Sequence, residues 1–282
     1  MKPAPFRYAR PSSVAEAVAL LAAHGAGARL LAGGQSLIPL LTRRIERPSF
    51  IIDINRIEGL DRIEILPAHI RMGALVRQEQ ALRSPIVRNE TKGVAEALAW
   101  VANPVVRRRG AVIGNLVTNS PGAELPAVAL ALGAQFLVRY PEGERTLSAA
   151  SLLGAQQKFP ANAMVTHVLW PRRTGPVGFY EVARRHGHAP VVSAMVTVSD
   201  GDCRVALSGV CMNGLSCPAM ARVIAQHFPR APEPSHLASA LREDLTGPVY
   251  ADVYSSARYR LDVAPVVSQR AALLMAIQAA SA

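Results

Sequence analysis

The first 55 residues alternate extended and helical patterns, and this alternation restricts the chain's architecture more than any other feature. Residues 5–10 read as a short extended stretch. Ser13 and Glu16 then form an S-x-x-E capping box that opens a helix, with Val14, Val18, Leu20 and Leu21 on its buried side. Gly25 and Gly27 stop it. Residues 28–32 form an apolar strand broken by Gly33 and Gly34. Gln35 and Ser36 lead into a second helix that ends near Arg43 and Arg44, and residues 50–54 form a third strand. The βαβαβ order implies a small parallel sheet with right-handed crossovers.

From about residue 60 the texture changes. Residues 62–66 and 69–75 read as a hairpin around Pro67-Ala68. Residues 91–101 read as a helix and 112–118 as a strand. Residues 123–132 read as a helix that takes Pro126 in its first turns, where a missing N–H costs little. Residues 135–140 and 165–170 read as strands. Residues 171–178 (PRRTGPVG) are the best linker. Beyond it, 191–199 alternates apolar and polar, Asp200-Gly201 is a two-residue hairpin turn, and 204–212 is the returning strand. Helices are expected at 218–226, 235–242, 251–259 and 263–280. The class is α+β. A length of 282 residues suggests two domains at roughly 150 residues each, placed at 1–175 (parts about 1–57 and 58–175) and 176–282.

Half the residues are apolar and 18% are charged, which excludes a disordered chain. No uninterrupted apolar run reaches the ~18 residues of a membrane span, and the N-terminal segment MKPAPFRYARPSS lacks a signal-peptide core. A cytoplasmic protein with no obligatory membrane span is expected. The three cysteines, Cys203, Cys211 and Cys217, form no CxxC pair, so no zinc or iron–sulfur site held by this chain alone is expected. They read as buried core thiols in a reducing compartment. The net charge of +11 fits a solvated face or an acidic partner. Its strongest cluster, Arg107 to Arg109, has no interleaved aromatics, so nucleic-acid binding is not expected.

Two glycine-bearing turns carry the chemistry. The first, Ala32-Gly33-Gly34-Gln35-Ser36, joins a strand to a helix. Glycines there let backbone approach a ligand closely, and the helix N-terminus favours a phosphate. Ser36 caps the helix or binds a phosphate oxygen. The second runs from Arg109 through Gly114 and Asn115 to Thr118, Asn119, Ser120 and Gly122. It ends at Glu124, where a carboxylate caps N–H groups or accepts from a ribose hydroxyl. Neither is a GxGxxG or Walker motif. As a pair, they offer N–H groups to one diphosphate. Arg185-His186-Gly187-His188 lacks further ligands for a metal site. Asp53 and Asn55 read as caps of a local turn.

The segments PSSVAEAVALLAAHG, LLAGGQSLIPLL, IIDINRIEGLDRI, IRMGALVRQ, LRSPIV, VVRRRGAVIGNLVTNSPGAELPAVALALGA and FYEVARRHG run in the order found in one family. Over nearly its whole length the chain resembles the FAD-binding medium subunits of the molybdenum hydroxylases, the group of carbon monoxide and xanthine dehydrogenases. The resemblance implies a two-part FAD domain of the vanillyl-alcohol-oxidase type and a small C-terminal domain of antiparallel sheet and helices. It implies that Leu31, Ala32, Gly33, Gly34, Gln35, Ser36 and Leu37 match the first diphosphate loop. Ala111, Ile113, Gly114, Asn115, Thr118, Ser120 and Glu124 match the second, which also reaches the ribityl and ribose. Val101, Ala102 and Val106 match the border of the adenine. Val165, and the stretch from Tyr180 to His188, match the approach to the isoalloxazine. A large molybdopterin subunit and a small subunit with two [2Fe–2S] clusters are the implied partners, in a heterohexamer built as a dimer of heterotrimers. Electrons would pass from those clusters to FAD and on to NAD, a quinone or another acceptor, with no catalytic acid–base residue in this chain.

Three positions depart from the family pattern. Ala111 lacks the usual hydroxyl, Ile113 replaces a glycine, and Ala189 stands where a bulkier side chain often covers the flavin. A β-branched residue disfavours positive φ and close backbone approach, so FAD binding weaker than is usual in the family is expected. A stand-alone flavin oxidase or dehydrogenase of the same fold, and an FAD-free scaffold subunit with decayed loops, are the alternatives.

Overall fold

The computed structural model describes residues 2–118, 120–153, 160–172, 175–199 and 201–281. Strand β1 (Arg7–Ala9), helix α1 (Val14–His24), strand β2 (Ala28–Leu31), helix α2 (Leu37–Thr42) and strand β3 (Phe50–Asp53) follow the expected order. β3 lies between the other two strands and both pairings are parallel. All four of its residues are buried, as suits a continuous apolar run in a parallel sheet. The Ser13 hydroxyl accepts from the Glu16 N–H at 3.1 Å, while the Glu16 carboxylate takes the N–H of Ser12 at 2.8 Å. Gly25, at φ 49°, ends α1.

Next come β4 (Ile63–Ile65) and β5 (His69–Gly73). Six helices follow in close succession: α3 (Gln78–Arg83), α4 (Pro85–Glu90), α5 (Lys92–Trp100), α6 (Pro104–Arg109), α7 (Val112–Val117) and α8 (Leu125–Leu132). Strands β6 (Gln135–Tyr140) and β7 (Gly143–Ser148), helix α9 (Ala149–Leu153) and strand β8 (Met164–Pro171) complete this part. The second sheet has the order β4-β5-β8-β6-β7 and is antiparallel throughout.

The strand expected at 112–118 is instead the helix α7. Ala111 makes one bridge with Arg77, and the Val112 N–H bonds Val76 O at 2.9 Å before the chain coils. Val112, Ile113 and Leu116 then share one helical face that enters the core. Packing overrides β propensity here. α3, α4 and α6, of six residues each, are too short to display a helical period in sequence. β7 is half-exposed and polar, so it lacks an apolar alternation.

A third, antiparallel sheet follows, with order β12-β11-β10-β9, from β9 (Val177–Ala183), β10 (Pro190–Ser199), β11 (Asp202–Ser208) and β12 (Leu215–Ser216). Helices α10 (Pro218–His227), α11 (Pro234–Asp244) and α12 (Ala257–Ala280) end the chain. Within the expected linker and hairpin turn, Arg173, Thr174 and Asp200 lie outside the described residues. The hairpin register pairs Ser199 with Asp202. The helices expected at 251–259 and 263–280 are one helix, α12, preceded by a non-helical stretch. Buried Arg260 fixes that stretch through Asp252 at 2.8 Å and through the carbonyls of Gly209 and Val191. The alternation in β10 does not mark a solvent face, because Ser193 and Thr197 are buried too. α12 covers one side of β10 and α8 the other.

The core falls into two clusters. One joins the first two sheets, α5 and α8, and takes in Phe179, Met195 and Ala206 from the third sheet. The other fills the space between that sheet and α10–α12. α8 is apolar all round and buried at seven of its eight positions, the pattern of an interior helix. Cys211 and Cys217 are buried free thiols and Cys203 is half-buried; burial raises the pKa of all three. By length and composition α12 could cross a membrane, but its inner face packs on β9 and β10.

Candidate functional site

The two glycine turns touch. A Cβ added at Gly33 would lie 2.2 Å from Arg109 O and 3.0 Å from both Ala111 N and Gly110 Cα. The first turn therefore rests on the second backbone against backbone, which only a residue without a side chain allows. Arg77 bridges them: its guanidinium donates to Arg109 O at 3.0 Å and to Asn55 Oδ1 at 2.6 Å. Asn55 Nδ2 in turn donates to Ala32 O at 2.9 Å and Leu31 O at 3.3 Å. Asp53 Oδ1 accepts from the backbone and side-chain N–H groups of Asn55, and Asp53 Oδ2 accepts from Tyr8 Oη at 2.5 Å. Burial works to raise the Asp53 pKa, but the Tyr8 and Asn55 hydrogen bonds and the Arg10 charge outweigh it and hold the carboxyl below its ordinary value. Asp53 and Asn55 thus cap their local turn and also hold the first glycine loop.

Several features of the first turn differ from the sequence reading. Gly34 adopts φ 71°, but the Ser36 hydroxyl makes no capping bond to α2. α2 and α7 have six residues each, too few for a long aligned dipole. What the turns offer is bare backbone and local N–H groups. Gln35 and Ser36 are exposed, Leu37 is half-buried, and the Gln35 amide folds back onto Gly33 O at 3.1 Å.

The second turn is braced from below. The Gln78 N–H donates to Gly110 O at 2.8 Å. Ala111 is the N-cap residue of α7, so the missing hydroxyl falls at a helix cap. Ile113 does not have a positive φ. It sits in the first turn of α7 with its side chain in the core, so the backbone conflict expected there does not arise. A Cβ on Gly114 would meet only Ala111 Cβ, at 3.6 Å. Asn115 Oδ1 accepts from the Leu125 N–H at 3.2 Å, and Asn115 Nδ2 donates to Glu124 at 3.0 Å. Asn115, rather than Glu124, therefore caps α8. Glu124 is buried, and burial pushes its pKa up to about 7 against the Asn115 hydrogen bond. Thr118 is half-buried and Ser120 exposed; Asn119 lies outside the described residues.

Two further segments join this ring. Val101 and Ala102 O each accept from Arg107 at 2.9 Å, and Arg107 pairs with Glu79, also at 2.9 Å. Arg107 is buried while Arg108 and Arg109 are exposed, so the arginine cluster is not one surface patch. Ala102 has φ 47°, and Val106 is half-buried on α6. A Cβ on Gly187 would meet Ala102 O at 2.9 Å, and one on Gly122 would meet Ala189 Cβ, also at 2.9 Å. The 186–189 turn therefore closes onto Ala102 and onto Gly122 of the second loop. His188 is exposed, with its N–H on Arg185 O at 3.1 Å. The His186 ring lies 5.7 Å from that of Trp100, which also meets Tyr180 edge-on at 5.9 Å. Val165 is buried on β8 at a register shift beside Val138, and α7 packs against that strand.

Residues 31–37, 101–106, 109–115, 120–124 and 186–189 thus converge. Arg77, Gln78 and Arg107, absent from the sequence-based set, hold them together. Their signal was faint because each acts on carbonyl oxygens of segments distant in sequence.

Comparison with known proteins agrees with this geometry. The family described as the FAD binding domain in molybdopterin dehydrogenase matches residues 4–173. The chain is 33% identical over 280 residues to the 6-hydroxypseudooxynicotine dehydrogenase complex subunit alpha of Paenarthrobacter nicotinovorans, covering 96% of this chain and 94% of that one. It is 31% identical over 280 residues to the carbon monoxide dehydrogenase medium chain of Afipia carboxidovorans, covering 96% of each. The solved carbon monoxide dehydrogenase of Hydrogenophaga pseudoflava superposes with a TM-score of 0.89 at 30% identity over 99% of both chains. The chain belongs to the molybdopterin dehydrogenase FAD-binding family, among the medium subunits of the molybdenum hydroxylase oxidoreductases.

Proposed function

We propose that this chain carries FAD and transfers electrons within a molybdenum hydroxylase complex. It would take them from two [2Fe–2S] clusters on a small partner and deliver them to NAD, a quinone or another acceptor. A large subunit would hold molybdopterin and the substrate. The assembly would be a cytoplasmic dimer of heterotrimers. Within the chain, residues 1–175 would form the FAD domain and 176–282 the C-terminal domain.

The observation that carries this reading is the backbone contact of Gly33 with Arg109–Ala111. It sets two glycine turns side by side, as a diphosphate between them requires. The residues present fit such a group. Gly33 lets the first turn lie against the second, Gly34 supplies the left-handed turn, and Gly114 leaves its surroundings free of a side chain. Asn115 and Glu124 place an amide and a carboxyl at the second loop, suited to sugar hydroxyls. Ala102, held open by Arg107, would border the adenine. Tyr180 and the 186–189 turn would border the isoalloxazine. Bound FAD would supply the one- and two-electron chemistry, and the protein's part is to bind, orient and tune it.

The test is a visible absorption spectrum of the purified chain, alone and after addition of FAD and desalting. Oxidised-flavin bands that stay with the protein are the expected result. No retained flavin and no thermal shift in excess FAD would favour the scaffold alternative.

A further inference from the structure

Glu181 is a buried carboxyl that the function above does not use. It lies on β9, on the same face as Phe179, turned toward the core around α8 rather than toward α12. Directly opposite it on β10 is Ser193, and opposite Ser193 on β11 is Ser208. The Ser208 hydroxyl accepts from the Ala127 N–H of α8 at 3.3 Å. Among the described residues, both Glu181 oxygens and the Ser193 hydroxyl are buried without a partner. Three polar atoms in one row, under the start of α8, thus find no hydrogen bond among the described residues.

A bare carboxylate cannot persist there. A buried charge with neither a counterion nor donors is strongly disfavoured and is avoided by neutralisation. The charged neighbour that acts on Glu181 is Glu124, of like sign. From the other elements, α5 presents Lys92 and Glu96, and Glu96 is tied to Gln278 at 2.9 Å. Arg270 lies over Tyr180 on the opposite face of β9. Arg184, Arg185, His186 and His188 are exposed in the turn beyond. α7 contributes the neutral Asn115 to Glu124.

We propose that Glu181 and Glu124 form a proton-storing acid pair, and that it takes up a proton from solvent when the anionic cofactor occupies the loops beside it. The proposal rests on the FAD reading for its second half only. Burial, and then Glu124, push Glu181 up to about 9, whereas Glu124 alone reaches about 7. Near neutrality the pair therefore holds at least one proton and is losing its second, and the two carboxyls titrate as a unit. A bound diphosphate adds negative charge and excludes water, and both effects favour the protonated form. Affinity for FAD should then fall as pH rises above about 7, by up to about tenfold per pH unit for one linked proton.

The test uses the full chain in two arms. In the flavin-free protein, an infrared titration reads the stretch of protonated carboxyl groups. A band that survives at pH 8 and disappears in E181Q is expected, and in E124Q the same band should be lost at lower pH. No such band overturns the buried acid, and an unshifted titration in E124Q overturns the pairing. In the second arm, flavin fluorescence measures FAD affinity between pH 6 and 9. A fall in the parent and a flatter profile in E124Q are expected, and a pH-independent parent overturns proton uptake. Absence of FAD binding at every pH overturns the functional reading and the coupling with it, while the infrared arm still decides the pair.

Discussion

At the scale of single residues, the site depends on positions where a side chain is absent or a charge is suppressed. Gly33 is the sharpest case. G33A places a methyl 2.2 Å from a backbone oxygen, so one of the two turns must move. Overpacking of this kind costs about 1–3 kcal/mol. A lower urea midpoint and weaker FAD retention together are the expected outcome. Glu181 leads to a prediction about stability. Folding raises its pKa from 4.5 to about 9, so within that window the native protein holds a proton that the unfolded chain has released. Stability therefore falls as pH rises through the window. E181Q removes this dependence, and its melting temperature relative to the parent should rise steadily from about pH 5 to 9. Calorimetric scans at several pH values check this. Ile113 illustrates the limit of reading one residue at a time. As a replacement for glycine it suggests a backbone conflict, yet its side chain is a core contact of α7.

At the scale of elements, length and apolar period decided what could be read from sequence. β1, α1, β2, α2 and β3 were legible because strands and helices alternate with glycine or capping signals between them. The later hairpins were legible for the same reason. α7 was not, since a six-residue segment whose apolar positions are Val112, Ile113, Leu116 and Val117 fits a strand or a helix equally well. Its N-cap is Ala111, in extended conformation with no side-chain bond to the helix. Ser at such a position accepts an N–H from the first turn and adds about 1 kcal/mol relative to Ala. A111S should therefore raise the free energy of unfolding by about 1 kcal/mol, read as a higher urea midpoint at unchanged slope, and it should tighten rather than loosen FAD binding. α12, with Pro265 inside it, runs unbroken across the gap between the helices expected at 251–259 and 263–280. The proline is buried on the face that packs against the third sheet, so tertiary contacts carry the helix through it.

At the scale of the whole molecule, the sheets do not form separable bodies. The first core cluster includes Phe179, Met195 and Ala206 of the third sheet. In the same way, Gln278 of α12 donates to Glu96 of α5 at 2.9 Å. A chain truncated after residue 175 would expose that part of the core, and it should bind a hydrophobic dye and unfold without a cooperative transition. The α+β class, the order of most elements, the two glycine turns and, through a long collinear resemblance, the family are legible in the order of residues. These follow from local spacing, capping and the absence of side chains, which act between residues near in sequence. Packing between distant segments sets Gly33 on Arg109–Ala111, joins the two turns through Arg77 and Asn55, and lays Glu181 across from Ser193. Those contacts link residues up to about eighty positions apart. They form because the sheets and α8 are packed into one core, and no local pattern encodes which distant carbonyl or carboxyl will be brought alongside.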